Sequence, residues 1–200
     1  MNPETTRPSL LSRVRDPTDH AAWAEFEARY RDLIFRYCRR CELTATDAED
    51  VRQMVMIRLL RVLPKFRYDP AHGRFHDYLY RVARSAIADF RNCPDDRARA
   101  VSNGDCDESL VAVGDVPADP TWEQEWLDHH LRRALAIVRQ SSDARSIAVF
   151  ERLLAGASVV QAAAEFALSS DAVHKIKQRI RDRVQKRIAE QIREEDATAG

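Results

Sequence analysis

Residues 158–187, SVVQAAAEFALSSDAVHKIKQRIRDRVQKR, leave little choice of local structure. Ser158 is placed to cap a helix, its hydroxyl taking up an orphan backbone N–H. Ala162, Ala163 and Ala164, closed by Phe166, give that helix a face of small side chains that a second helix can cross at close range. Ala167, Leu168 and Ser169 make a tight turn. Ser169 or Ser170 then caps a longer helix. In it Val173, Ile176, Ile180, Val184 and Ile188 recur at three-to-four spacing as one apolar stripe. From Ser169 to Arg187 the rest of the surface carries Lys175, Lys177, Arg179, Arg181, Arg183, Lys186 and Arg187 against Asp171 and Asp182. Such a charged face can be merely solvated. Behind a capped small-residue helix and a tight turn, however, an amphipathic cationic helix suits a DNA major groove. Its charges would neutralise phosphates while residues near its start meet base edges.

The remainder of the chain also reads as helix. Periodicity predicts a first long helix from about His20 to Glu42, capped by Asp19 or Thr18. Its buried stripe is Trp23, Phe26, Tyr30, Leu33, Ile34, Tyr37 and Cys41. A second helix is expected from Thr46, where Thr46-Asp47-Ala48-Glu49 reads as a capping box. Asp47, Glu49 and Asp50 suit the positive end of its dipole. Val51, Met54, Val55, Leu59 and Val62 form its apolar face, and Pro64 stops it. Residues 65–75, KFRYDPAHGRF, hold the turn formers Asp69-Pro70 and His72-Gly73. There Phe66, Tyr68, His72 and Phe75 alternate with Lys65, Arg67 and Arg74. Rings interleaved with cations are what single-stranded bases stack on, although Phe75 and Phe66 serve equally as anchors of the loop. A third helix is predicted from about Arg74 to Asn92, with Phe75, Tyr78, Leu79, Val82, Ala83, Ala86, Ile87 and Phe90 as its core stripe. Three amphipathic helices with such connections make a small bundle.

Residues 94–121 break the periodicity. Seven acidic residues and two arginines lie among prolines and glycines, which predicts a flexible acidic linker. Beyond it, Trp122, Trp126, Leu131, Leu135 and Val138 mark one helix. Ile147, Phe150, Leu153 and Leu154 mark the next, ending at Gly156, a natural position after a helix C-terminus. The tail from Glu194 is expected to fray. The fold expected is all-α, with two small helical domains at 10–93 and 122–193 joined by the linker. Five glycines in 200 residues agree with helix rather than sheet.

The formal net charge is zero, so any affinity for polyanions must be local. No apolar run approaches the roughly 20 residues of a membrane helix. The N-terminus has no apolar core of a secretory signal, so a cytoplasmic location is expected. The four cysteines should then be reduced. Cys38 and Cys41 fall within a helical pattern, where small buried hydrophobes are the plain reading and a redox or metal role the alternative. No metal and no cofactor is expected.

These residues resemble a known family. The run DAEDVRQMV…LPKFRYDPAHGRFHDYLYRVARSAIADFRN, residues 47–92, is similar to the second region of extracytoplasmic-function sigma factors of bacterial RNA polymerase. Residues 158–184 resemble the fourth region. The resemblance runs from about Leu10 to Arg193, and the layout of two helical domains with no middle domain fits this minimal class. It implies a sigma factor, not an enzyme, that directs transcription initiation. Asp47, Glu49, Asp50, Gln53, Met54 and Arg58 would dock on the clamp of core polymerase, among its beta and beta-prime subunits. Tyr68, His72, Arg74, Tyr78, Arg81 and Arg84 would hold the melted minus-10 element. Ser170, His174, Lys175, Lys177, Gln178 and Arg181 would read the minus-35 duplex. The acidic linker would thread into polymerase's nucleic-acid channels. An anti-sigma protein is a further expected partner.

Three positions depart from the family pattern. Tyr78 stands where Trp is usual. Ala167 replaces the turn glycine, at a cost of about 1 kcal/mol if the position needs positive φ. Asp171 sits early in the recognition helix, where it can accept from cytosine N4 but repels phosphate. The alternative reading is a stand-alone helix-turn-helix regulator, which would bind DNA as a dimer without polymerase. Catalysis through His72, His76, Asp69 or Asp77 finds no supporting motif.

Overall fold

The computed structural model describes residues 10–64, 75–92 and 119–196. Among these the regular structure is α-helix: α1 Leu10–Arg13, α2 His20–Arg40, α3 Ala45–Val62, α4 Phe75–Asn92, α5 Pro120–Ser141, α6 Ala144–Leu154, α7 Val159–Glu165 and α8 Ser170–Asp196. Two compact units emerge, one of Met1–Trp126 with Glu194–Gly200, the other Leu127–Arg193. The sequence places Trp122 and Trp126 at the head of the C-terminal domain, whereas both fall in the first unit.

In the first unit α2, α3 and α4 pack side by side. Asp19 caps α2, its Oδ1 accepting the Ala22 N–H at 2.9 Å, and Arg13 donates to the same carboxylate at 3.0 and 3.1 Å. The predicted α2 stripe is buried as Phe26, Tyr30, Leu33, Ile34 and Tyr37, with Cys38 rather than Cys41 completing it. Facing it are Val51, Val55 and Leu59 of α3 and the whole predicted stripe of α4. Trp122 and Trp126 of α5 close this core. Tyr37 meets Trp122 edge-on at 5.0 Å, and Tyr30 stacks on Trp126 at 6.5 Å. Each large ring sealed from water contributes about 1.5–3 kcal/mol, with a further ~0.5–1.5 from ring geometry.

Two sequence expectations fail here. Thr44, not Thr46, caps α3: its Oγ1 accepts the Asp47 N–H at 3.2 Å and donates to Asp47 Oδ2 at 2.7 Å. Glu49 is therefore no capping-box partner and turns to Arg52, with contacts of 2.9 and 2.6 Å. Nor does the tail fray at Glu194. Helix α8 continues to Asp196, and Glu195, only 3 % exposed, accepts the Tyr30 hydroxyl at 2.9 Å. Residues 197–200 lie outside the described residues.

In the second unit α5, α6, α7 and α8 enclose two adjoining apolar clusters. One joins Ala134, Val138 and Phe150 to Ile180 and Val184. The other joins Val149, Ala162 and Ala163 to Val173. The predicted stripe of α8 is thus its buried face, and the small-residue face of α7 is what α8 packs on.

Candidate nucleic-acid interface

The helix-turn-helix is fixed by local chemistry at each joint. Asp143 caps α6, accepting the Ser146 N–H at 2.8 Å. That hydrogen bond holds the Asp143 carboxyl below the usual carboxylate range. Helix α6 ends on Gly156 at φ +92, a left-handed residue that glycine adopts without strain. Ser158 then caps α7 as expected. It accepts the Gln161 N–H at 3.2 Å while Gln161 Oε1 accepts the Ser158 N–H at 2.8 Å, a complete capping box. The turn after α7 places Ala167 at φ 48, so the position does need the left-handed conformation. Ser169, rather than Ser170, caps α8, its Oγ accepting the Ala172 N–H at 3.1 Å.

The cations of α8 divide into two sets. Arg179 and Arg183 face the scaffold. Arg179 donates to Ser146 Oγ at 2.7 Å, and Arg183 to Ser142 Oγ at 2.8 Å and the Ser141 carbonyl at 2.9 Å. These bonds fasten the helix to the scaffold, while the Arg179 side chain stays 57 % exposed. Ser170, His174, Lys175, Gln178 and Arg181 are exposed. Ser170, His174, Gln178 and Arg181, spaced by four, four and three, share one face. Asp171 is exposed as well, and Asp182 accepts from Gln178 Nε2 at 2.7 Å, so this face mixes signs. Lys177 is half-buried and stands with Arg181 beside an apolar groove lined by Phe150, Leu153 and Leu154.

On α3 the expected docking residues also divide. Asp50 and Gln53 are exposed, and Met54 is half-buried against the core. Asp47 is engaged by Thr44. Glu49 and Glu27 together hold Arg52, which is 7 % exposed, and Arg58 donates to Ser85 at 3.2 Å and Asp89 at 2.7 Å. Missed from the sequence are Ile57 and Leu60, 49 % and 43 % exposed. With Asp50 and Gln53 they make a strip at three-to-four spacing. The signal was present in VRQMVMIRLLRV, which has more apolar residues than one buried stripe can use.

Of the minus-10 set, three residues lie among the described ones. Tyr78 is 1 % exposed and packs on Phe75, ring centroids 6.3 Å apart. Position 78 belongs to the same core stripe as Phe75 and Val82, and the stripe buries its ring. Arg81 is half-buried, and Arg84 is exposed. Tyr68, His72 and Arg74 lie outside the described residues.

The cysteine pair shows no activation. Burial pushes the Cys38 thiol up to about 12 and raises that of Cys41. Burial, with Asp119 Oδ2 accepting at 2.8 Å, likewise holds the Tyr37 phenol far above its ordinary range.

Residues 28–93, from the middle of α2 through α4, match the family model Sigma-70 region 2. The match covers 66 of the 200 residues. No curated protein matches the chain. No described helix is long and apolar enough to cross a membrane.

Proposed function

We propose that this protein is a bacterial sigma factor of the extracytoplasmic-function type, acting in the cytoplasm. It binds core polymerase, delivers it to promoters and traps opened DNA. The Sigma-70 region 2 match over residues 28–93 is the observation that carries the reading. Core polymerase docks along α3, where Asp50, Gln53, Ile57 and Leu60 offer an amphipathic strip. Helix α8 enters the minus-35 major groove with Ser170, His174, Lys175, Gln178 and Arg181, and Lys177 lies at the edge of that surface. The melted minus-10 strand is held by Tyr68, His72, Arg74 and Arg84.

Energetics allow this division. Opening a base step costs about 1–2 kcal/mol, and stacking an unpaired base on a ring returns about 1–3. A few captured bases with phosphates neutralised by arginine are enough to bias melting. RNA synthesis itself belongs to polymerase. Run-off transcription with purified core enzyme tests the reading: transcripts that appear only when the protein is added support it. Tight DNA binding that neither needs nor recruits polymerase would favour a stand-alone regulator.

A further inference from the structure

The first turns of α4 and α5 meet at a histidine with a carboxylate on each side. His76 is 5 % exposed. Its Nδ1 lies 2.9 Å from Asp77 Oδ1, and its Nε2 lies 3.3 Å from Glu123 Oε1. That Nε2 is sealed from water and makes no hydrogen bond among the described residues. The ring is walled by Trp122 at 5.7 Å and by the edge of Trp126 at 4.6 Å. The two carboxylates are 45 % and 43 % exposed, so the cluster opens to solvent on its acidic side.

With Nδ1 turned to Asp77, Nε2 faces the Glu123 carboxylate, so one nitrogen and one carboxylate oxygen converge on the same point. Ligands about 2.1 Å from one ion at a roughly tetrahedral angle stand about 3.3–3.4 Å apart. The Nε2 to Oε1 separation of 3.3 Å matches that chord. One ligand atom from each of His76, Asp77 and Glu123 lies within 4.8 Å of the others.

We propose that His76 and Glu123 form a binding site for a divalent transition-metal ion of the zinc or cobalt kind. The ligands are His76 Nε2 and the Glu123 carboxylate, with water entering from the exposed carboxylate side to fill the remaining positions. Asp77 accepts the Nδ1–H and so fixes the tautomer that aims the lone pair at the metal. Nitrogen and carboxylate together select transition metals over magnesium. A bound ion ties the first turn of α4 to the first turn of α5, and so joins the two chain segments that flank residues 93–118.

The test uses the full reduced chain, stripped with chelator and titrated with Zn2+ by calorimetry. Glu123→Gln removes an exposed ligand charge without disturbing the core and carries the test. His76→Gln serves as the second variant, scored only if its helical circular dichroism matches the parent. The expected result is at least a tenfold loss of Zn2+ affinity at one site in Glu123→Gln. Bound Co2+ is expected to absorb without a thiolate charge-transfer band. Parental Zn2+ affinity in Glu123→Gln, a thiolate band, or Mg2+ raising the melting temperature as much as Zn2+ would overturn the proposal.

Discussion

Leu168 donates its backbone N–H to the carbonyl of Ala163 at 2.9 Å, closing the end of α7 around a left-handed alanine. Ala167 adds its own N–H to the Ala164 carbonyl at 3.4 Å. This is the six-residue closure that usually centres on glycine. Among the described residues two more such ends occur: Ala157 to Arg152 around Gly156, and Leu43 to Cys38 around Glu42 at φ 65. Only Gly156 has the residue that fits without strain. Ala167→Gly should therefore raise stability by about 1 kcal/mol, because the side-chain clash outweighs the extra freedom of the unfolded chain. Urea unfolding followed by circular dichroism reads it, and a midpoint at or below the parent's contradicts it.

The two sets of α8 cations should separate in mutation. Arg183→Ala should cost about 1 kcal/mol of stability, since it leaves the Ser141 carbonyl and Ser142 hydroxyl without their donor. Arg181→Ala should leave stability within about 0.5 kcal/mol of the parent. Instead it should weaken upstream promoter binding by the polymerase complex and lower its log–log salt slope by about 1. Filter binding at several salt concentrations checks the second claim. An unchanged slope would remove Arg181 from the interface.

Tyr78→Ala should act on folding before it acts on promoter opening. Emptying a buried aromatic site costs about 3–5 kcal/mol. A thermal melt close to the parent's, together with lost permanganate reactivity of promoter thymines, would return Tyr78 to the DNA-binding surface. By contrast Arg84→Ala should spare the melt and reduce that reactivity.

Acid should weaken the cap of α6. The folded state holds the Asp143 carboxyl below its unfolded value, so its contribution is present above the ordinary carboxylate range. It is lost as pH falls through the lower folded value. Asp143→Asn keeps an acceptor but does not titrate. Between about pH 5 and pH 3 its melting temperature should therefore fall less than the parent's. Parallel losses would contradict the assignment.

Cys38 and Cys41 should resist alkylation in the folded protein, because the reactive species is the thiolate and burial disfavours it at both. Peptide mapping after a short iodoacetamide pulse at about pH 7.5 checks this. Rapid labelling of either would revive the redox reading.

What could be read in advance was what local chemistry decides. The Asp19 and Ser158 caps, Gly156, and the stripes of α2, α4 and α8 all follow from spacing and side-chain type. Choices between neighbours failed where two residues offer the same local bond. Thr44 and Thr46 both precede an acidic residue by three positions, and the fold uses Thr44. Tertiary partners were invisible: nothing near Glu195 announces Tyr30, and nothing in the basic run distinguishes Arg183 from Arg181. Tyr78 lies on the core stripe of α4, and the packed helix buries it. Ile57 and Leu60 exceed what one apolar face of α3 can bury, and only the packed helix shows that they are the ones left exposed.

The central claim is polymerase-dependent promoter use, and run-off transcription on genomic fragments tests it most directly. Core polymerase with this protein should yield discrete transcripts from a few fragments, absent without it and lost when Ile57 and Leu60 are both changed to Asp. No protein-dependent transcript from any fragment, with polymerase active on a control factor, would contradict the account.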